Sequence, residues 1–299
     1  MLHAFQNQGV FRRGNLHCHS TASGADLSPE RVCAFYRGHG YDFICLSDHF
    51  LERWDFPITD TRPFRTETFT TLLGAEIHAP AVKTGKIWHI VAAGLPLDFA
   101  PTGAEETGPE LAARAAATGA FIELPHPSAY HLFLEDALTI ETVHAVEVYN
   151  TICDRILGRG GGEYLLDQML WSGRRVGAVA VDDAHRYRTD VLGGWVMLKT
   201  EALTPEALLT ALKAGAYYAS TGPEIHHIEH VAGGLSIECS PCTGAYLVGP
   251  GFANETVWGT APFTRVRRPL ERFEGTWARL ILRDAAGRAA YTNPLFLDT

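Results

Sequence analysis

The sequence predicts an α/β fold: a distorted seven-stranded β/α barrel with a small antiparallel β domain or extension at its C-terminal end. Three observations predict it. From about residue 14 to residue 183, short apolar runs alternate with helical segments, which favours parallel strands in a barrel or a doubly wound sheet. We interpret each of seven such runs as a strand that ends at a candidate polar site residue. The remainder of the chain is turn-rich and β-like, so we expect the barrel over residues 1–222 and the β-rich part over 223–299.

The seven runs share short length and apolar character, as buried strands do. In order they are GNLHCHS, YDFICLSDH, TTLLGAEIHA, WHIVAAGL, GAFIELPHP, HAVEVYN and RVGAVAVDDAH. Active-site residues of α/β barrels gather at the C-terminal ends of the strands. Polar residues at the ends of seven separate runs are therefore expected to meet at the C-terminal end of the barrel, which we call its mouth. This expectation favours the barrel over the doubly wound sheet.

Three segments between the runs are predicted to be helices: SPERVCAFYRGHG, GPELAARAAATGA and EYLLDQMLWSGRR. In the first, Ser28 is the expected N-cap and Pro29 lies in the first turn. After Asp190, GGWVMLKTE is strand-like, and a further helix begins at Thr204 and Pro205. Towards the C-terminus, DAAGRAAY has the composition of a hairpin turn.

Composition limits the classes of partner. The 299 residues carry a formal charge of −9, which argues against a stable grip on a nucleic-acid backbone. The six cysteines suggest no disulfide framework, and Cys239 and Cys242 are interpreted as ordinary thiols. The start of the chain, MLHAFQNQGVFRRGN, is too polar for a signal peptide, so we expect a cytoplasmic protein without membrane association. Nothing in the sequence specifies an oligomeric state.

The polar residues at the run ends are those that bind metal ions. His17 and His19 are two positions apart, so a strand would aim both imidazoles at one point. The candidate ligands are His17, His19, His49, Glu76, His89, His126, Asp183 and His185. Nitrogen and oxygen donors without cysteine suit Zn, Mn or Fe. Eight candidates exceed the four ligands of one structural zinc, so we expect two or more ions, with the two oxygens of Glu76 as the bridge.

Taken together, the motifs resemble those of the PHP family, the polymerase and histidinol phosphatase superfamily. The segments that carry the resemblance are NLHCHSTASGADLSPE, GYDFICLSDHF, GAEIHA, WHIVAAG, LPHPS, VEVYN and VDDAH. ALKAGAYYASTGPEI and AAYTNPLFL look more like one branch, the CehA/McbA-type metallohydrolases. The resemblance implies a distorted seven-stranded barrel that holds two or three divalent ions, often Mn, Zn or Fe.

The resemblance also implies how the ligands are shared. The first ion would be held by His17, His19, Glu76 and Asp183. Glu76 would bridge to a second ion, which is also held by His89 and His126. His49 and His185 would hold a third ion in the family versions that have it.

One position departs from the family pattern. Many members read S-D-G after the second histidine, and that aspartate helps to bind the third ion. This chain reads SGAD, with Gly24 at the aspartate position and Asp26 two residues later. Two outcomes stay open: Asp26 replaces the ligand through a shifted loop, or the third ion is weak and His49 and His185 act on substrate.

The resemblance implies a phosphoesterase of the EC 3.1 class, acting on a mono- or diester of a small molecule or nucleotide through a metal-bridging hydroxide. The expected catalytic residues are His49, His185 and Glu76, with one of the histidines protonating the leaving oxygen. Arginine binds phosphate in a bidentate way. The expected substrate contacts are Arg53, Arg62, Arg65, Arg155 and Arg186.

Three alternatives remain. The same bimetallic site would support a CehA-like carbamate or aryl ester hydrolase, for which Trp54, Phe56 and Phe64 would suit an aryl group. An exonuclease that trims oligonucleotides is the second alternative, which the acidic net charge disfavours. The third is a metal-binding module without catalysis.

Overall fold

The computed structural model describes residues 3–297, which form one large hydrogen-bonded sheet with helices packed against it. The strands of the first part are β1 (Val10–Asn15), β2 (Phe43–Leu46), β3 (His49–Phe50), β4 (Thr70–Ile77), β5 (Ile90–Ala93), β6 (Phe121–Leu124), β7 (Ala145–Asn150) and β8 (Gly177–Val181). Those of the second part are β9 (Trp195–Thr200), β10 (Tyr217–Ser220), β11 (Ile225–Val231), β12 (Gly234–Val248), β13 (Asn254–Pro269), β14 (Trp277–Arg283), β15 (Ala289–Thr292) and β16 (Leu295–Phe296).

The helices are mostly short and flank the first part of the sheet. They are α1 (His3–Gln6), α2 (Pro29–Gly38), α3 (Gly108–Ala117), α4 (Leu134–Ala137), α5 (Thr151–Leu157), α6 (Glu163–Trp171) and α7 (Pro205–Lys213). Helices α2, α3, α6 and α7 lie where the sequence predicts them. Thr107 and Thr204 cap α3 and α7 with their hydroxyls. Ser28 occupies the N-cap position of α2, but its hydroxyl accepts no hydrogen bond from the first turn.

Six of the seven predicted runs contain a strand, while the first run holds only the last two residues of β1, so that His17 and His19 lie beyond its end. These strands lie side by side in chain order as β1, β2, β4, β5, β6, β7 and β8. β1 pairs in parallel with β2, β2 with β4, β6 with β7, and β7 with β8. Leu16, Phe43, Leu72, Phe121 and Val179 contribute to one buried apolar cluster inside this curved sheet. The predicted α/β class is therefore confirmed.

Closure of the barrel is the part of the prediction that the structure does not confirm. Among the described residues, β8 pairs with β7, and its far side meets β1 only beyond the strand ends, in an isolated bridge between Cys18 and Ala184. β1 pairs instead with β9, which runs antiparallel to it. The sheet thus stays open, because β9 takes the hydrogen-bonding edge of β1 that closure would require.

Strand β5 runs against the predicted direction. It is antiparallel to both β4 and β6. No α-helix separates β4 from β5 in the described chain, and a parallel pair needs such a crossover. His89 therefore precedes its strand instead of ending it, and the reversed direction of β5 brings His89 to the same edge as the other strand ends.

The C-terminal part is antiparallel, as the sequence predicts. β12 forms a long hairpin with β13 and also pairs with β11 and β14. β14 and β15 form the hairpin that DAAGRAAY predicts, and β15 joins β10. Ile228, Ile237, Phe273, Leu280 and their neighbours form a separate apolar core. A domain boundary at residue 223 stays a prediction, since the sheet itself is continuous.

A membrane-spanning helix would need a long apolar stretch, and none of the helices within residues 3–297 has the required length and hydropathy.

Candidate metal centre

The predicted ligands come together at one edge of the sheet. His17 and His19 follow β1, His49 lies in β3, and Glu76 lies near the end of β4. His126 follows β6, Asp183 and His185 follow β8, and His89 precedes the reversed strand β5. Because the carboxyl ends of parallel strands share one edge, these residues meet although up to about 170 positions separate them in the chain.

Four atoms of this cluster have the spacing of ligands around one ion. His17 Nε2 lies 3.1 Å from His19 Nε2, and Asp183 Oδ1 lies 3.3 Å and 3.0 Å from these two nitrogens. Glu76 Oε2 lies 3.8 Å and 3.7 Å from the same nitrogens. Zinc–nitrogen bonds of about 2.0–2.1 Å place tetrahedral ligand atoms roughly 3.3 Å apart. The distances thus match a single coordination sphere.

The hydrogen bonds of His17 and His19 show which ring nitrogen faces this sphere. His17 Nδ1 lies 2.7 Å from Glu147 Oε1, and an ionised carboxylate only accepts. His19 Nδ1 donates to Ser23 Oγ over 3.3 Å, because the Ser23 hydroxyl donates to Asp48 Oδ1 over 2.7 Å. Both Nδ1 atoms carry the proton, so both Nε2 lone pairs point at each other and at Asp183.

Two Nε2 lone pairs and a carboxylate, buried side by side, require a positive charge among them. When no metal ion is bound, an additional proton on His17 supplies that charge. Burial lowers the pKa of His17, but the carboxylates of Asp183 and Glu147 outweigh it and raise the pKa above its usual value. Burial and the charge of His185 lower the pKa of His19. The residues therefore fit a divalent cation, which would replace the proton of His17.

A second convergence involves His49 and His185. His49 Nδ1 lies 3.1 Å from His78 Nε2, and because His78 Nδ1 donates to the Trp88 carbonyl, His78 Nε2 accepts and His49 Nδ1 carries a proton. His185 Nδ1 donates to the carbonyl oxygen of Asp183 over 3.0 Å. Their Nε2 atoms, which then hold lone pairs, lie 3.3 Å apart. The His19 ring is tilted against both, with ring centroids 4.3 Å from His49 and 4.2 Å from His185. The three imidazoles form a group that fits a metal ion.

Glu76 lies between the groups. Its Oε2 faces His17, His19 and His49, whereas its Oε1 lies 2.6 Å from His89 Nδ1 and 3.2 Å from His126 Nε2. The carboxylate is almost fully buried. Burial raises its pKa, but the neighbouring imidazoles, His49 first, lower the pKa well below its usual range. Glu76 is therefore ionised, and each of its oxygens serves a different set of nitrogen ligands.

His78 is a member of the cluster that the sequence does not single out as a ligand. It is buried, its Nδ1 donates to the Trp88 carbonyl over 3.0 Å, and its Nε2 lies 3.1 Å from His49 Nδ1. Burial lowers the pKa of His78 to about 3, so the ring is neutral at pH 7. Its place two residues after Glu76 was the available signal, since alternate residues of a strand share one face.

Two residues of the centre have strained backbones. Asp183 has φ +55° and His126 has φ +30°, a region that residues other than glycine rarely adopt. Such residues cost about 1–3 kcal/mol each and persist where the surroundings hold them, commonly at functional sites. Here the Asp183 N–H donates to the His17 carbonyl over 2.7 Å, and the His126 N–H donates to Glu147 over 2.7 Å.

Asp26 is not brought into this arrangement. Its carboxylate is exposed and accepts a hydrogen bond from the Tyr187 N–H over 3.2 Å. Gly24 has φ +94°, and a Cβ at this position would lie 3.1 Å from the Trp54 indole. A family-type aspartate at residue 24 would thus be strained and crowded. A ligand role for Asp26 stays a prediction that its contacts do not support.

The five predicted phosphate-binding arginines fall into two groups. Arg62 forms a bidentate pair with Asp60, Arg65 donates to Thr71, and Arg155 donates to the carbonyl oxygens of Thr189 and Val191. These three therefore support loops of the protein. Within residues 3–297, the guanidinium groups of Arg53 and Arg186 have no hydrogen-bond partner, although Arg53 lies over the Trp54 ring.

Comparisons with known proteins bear on the fold. No family model and no curated protein matches the chain. A two-domain protein from Bacteroides vulgatus that contains a predicted PHP-like metal-dependent phosphoesterase matches with 14% identity and a TM-score of 0.57, covering 97% of this chain and 98% of that one. A lesion-specific endonuclease from Pyrococcus furiosus matches with 15% identity and a TM-score of 0.48, covering 68% and 56%. An amidohydrolase from Chromobacterium violaceum matches with 12% identity and a TM-score of 0.46, covering 60% and 89%.

Membership of the PHP superfamily, like the CehA/McbA branch, stays a prediction. Over nearly its whole length, the chain has the fold of the PHP-like protein from Bacteroides vulgatus.

Proposed function

We propose that the protein is a metal-dependent hydrolase that cleaves phosphate esters of small molecules. One observation carries the metal dependence: a buried carboxylate, Glu76, lies between two sets of imidazole nitrogens, and in one of these sets the lone pairs of His17 and His19 converge. The open mouth beside this cluster gives substrate a way in, because His49, His89 and His185 are only half-buried.

The ligand sets follow the sharing that the resemblance implies. His17, His19, Asp183 and Glu76 Oε2 would hold one Mn, Zn or Fe ion, and Glu76 Oε1 with His89 and His126 would hold the next. Divalent ions in such a pair lower the pKa of water and neutralise charge on phosphoryl oxygens. Glu76 keeps both sets at a constant separation because it is buried and ionised.

The proton of the leaving oxygen is assigned to His49 or His185. Both are half-buried at the mouth. Burial lowers the pKa of His49, but the charge of Glu76 outweighs it and raises the pKa, which favours the protonated ring. Within residues 3–297, Arg53 and Arg186 are the two predicted substrate arginines whose guanidinium groups are not bound to protein oxygens. They follow His49 and His185 closely in the chain, and a phosphate group at the mouth would be their partner.

A small phosphoester is preferred to other substrates for two reasons. The Bacteroides vulgatus protein that shares the fold carries a PHP-like phosphoesterase name. The net charge of −9 disfavours long nucleic acids. Carbamate hydrolysis and oligonucleotide trimming are therefore outcomes to be tested against the proposal.

The test is a substrate panel on metal-free protein reconstituted with Mn²⁺ or Zn²⁺: p-nitrophenyl phosphate, its bis-ester, a cyclic nucleotide, an aryl carbamate and a short single strand. We expect turnover of a phosphate mono- or diester that depends on added metal, with two or three ions per chain by elemental mass spectrometry. Hydrolysis of the carbamate alone would contradict the phosphoesterase assignment. A protein that takes up no metal would contradict the whole proposal.

A further inference from the structure

Glu147 is a buried carboxylate that belongs to none of the predicted ligand sets. It lies in β7, and its side chain is fully inaccessible to solvent. Glu147 Oε1 accepts the Nδ1–H of His17 over 2.7 Å. Glu147 Oε2 accepts the backbone N–H of His126 over 2.7 Å and an amide hydrogen of Asn150 over 2.9 Å. One side chain thus links the segments that follow β1 and β6 to its own strand β7.

Asn150 extends these contacts to a fourth segment. Its Nδ2 also lies 3.2 Å from Asp183 Oδ2, and its Oδ1 accepts the N–H of Cys153 over 3.0 Å at the start of α5. The helix cap therefore holds the amide in one orientation, with its NH₂ group turned to both carboxylates. Through Asn150, Glu147 is linked to Asp183, which is the carboxylate partner of His17 and His19.

The residues linked in this way include the two with strained backbones. His126 and Asp183 have φ of +30° and +55°. A strained residue persists only when its surroundings over-determine it. Glu147 supplies such a constraint to His126 through its N–H, and Asn150 supplies one to the Asp183 side chain. His17 is held at its outer nitrogen, which directs its inner nitrogen to the cluster.

A second buried carboxyl group lies on the strand beside Glu147. Glu123, on the adjacent strand β6, is also fully buried, and among the described residues neither of its oxygens has a hydrogen-bond partner. Burial and the charge of Glu147 raise the pKa of Glu123. Glu123 therefore holds its proton. It offers a matched control, because glutamine is a neutral substitute of the same shape.

We propose that Glu147, acting with Asn150, is a positioning residue that sets His17, His126 and Asp183 as one unit before metal binds. The inference rests on the proposed metal centre and adds a residue to it that contacts no ion. The inference predicts a change in metal affinity. Removing the Glu147 carboxylate should loosen ligands of both ions at once, although Glu147 belongs to neither ligand set.

The test is Glu147→Gln, compared with Glu123→Gln and with the unchanged protein. A glutamine at 147 presents one oxygen and one NH₂ group, so it cannot accept from both His17 and the His126 N–H. We expect Zn²⁺ affinity, measured by competition with a chelating indicator, to fall about 10- to 100-fold. Co²⁺ absorption bands should change shape, because the His17 ring is no longer held. Glu123→Gln should leave both measurements unchanged.

A double-mutant cycle separates positioning from a general loss of packing. In a His17→Ala background, Glu147→Gln should cost less Zn²⁺ affinity than it does alone, since part of its effect passes through His17. If Glu147→Gln does not fold, Asn150→Ser replaces it, because serine still caps α5 but cannot reach both carboxylates; a loss of about 3- to 10-fold in Zn²⁺ affinity is then expected.

Unchanged Zn²⁺ affinity and Co²⁺ spectrum in a folded Glu147→Gln or Asn150→Ser protein would overturn the inference. So would an equal loss in Glu123→Gln, which would show a general effect of altering buried glutamates. These readouts need no substrate. Unchanged protein that binds Zn²⁺ but cleaves no phosphoester would therefore contradict the proposed reaction while leaving the positioning role standing.

Discussion

The mouth of the sheet and the C-terminal β part bury very different side chains. At the mouth, imidazoles and carboxylates lie within hydrogen-bond distance of one another with little access to water. In the C-terminal part, Ile228, Ile237 and Leu280 belong to an apolar core. Burying apolar area stabilises a fold directly, whereas buried charge stabilises it only when it is paired. The apolar core of the C-terminal part therefore stabilises the fold. The polar cluster at the mouth instead needs a cation to balance its buried carboxylates.

Substituting Glu76 should give the largest effect, confined to the mouth. Glu76→Gln removes the charge between the two imidazole sets, and we expect activity to fall on the order of 10³-fold with a parallel loss of bound metal. Initial rates and elemental mass spectrometry measure both. Glu271→Gln, the same change at an exposed site beyond β13, is the control and should be silent. A metal-loaded, active Glu76→Gln protein would remove the bridging role.

Shortening a buried side chain in the C-terminal core should lower the stability of the fold and leave metal binding unchanged. Leu280 is fully buried in β14, so Leu280→Ala should lower the free energy of unfolding by about 2–5 kcal/mol through lost burial and a cavity. Urea denaturation measures this change. The Zn²⁺ affinity of the folded variant should not change. A weakened metal site would show that the two regions are more tightly coupled than their separate cores suggest.

A smaller effect is expected at the contact between the regions. Arg279 of β14 is buried and donates two hydrogen bonds of 2.7 Å to Asp167 of α6. Asp167→Asn removes the charge and one acceptor, so the free energy of unfolding should fall by about 1.5–3 kcal/mol. Thermal or urea unfolding tests this, and Asp98→Asn at an exposed turn position serves as the control. Two separate unfolding steps in Asp167→Asn would show that this pair holds the regions together.

The smallest effect concerns substrate contact at the rim. Arg186→Ala should raise KM for a phosphoester about 10-fold with little change in kcat, because a hydrogen bond to a charged group contributes about 1.5 kcal/mol. Arg62→Ala, which loses only an exposed pair with Asp60, should leave KM unchanged. If the two variants behave alike, the distinction drawn between free and internally bound arginines is wrong.

Much of the fold follows from local sequence. Apolar runs bounded by turn residues predict the seven strands, and entry residues such as Thr204 and Pro205 predict the helix starts. The direction of β5 does not follow, because strand direction depends on how a connection packs and not on the run itself. Closure of the barrel likewise depends on whether β9 pairs with the edge of β1. That pairing is long-range and cannot be predicted from a local pattern.

The same division holds in the candidate site. The sequence by itself determined which donor atoms are available and that most of them follow strands, since residue type and periodicity are local properties. Only the tertiary structure decided which nitrogen of each ring faces the cluster, because that depends on what the other nitrogen contacts. For His17 the deciding partner is Glu147, 130 residues away. The tertiary structure also directs Asp26 towards Tyr187 and places His78 beside His49, because the placement of a side chain depends on neighbours that only folding assembles.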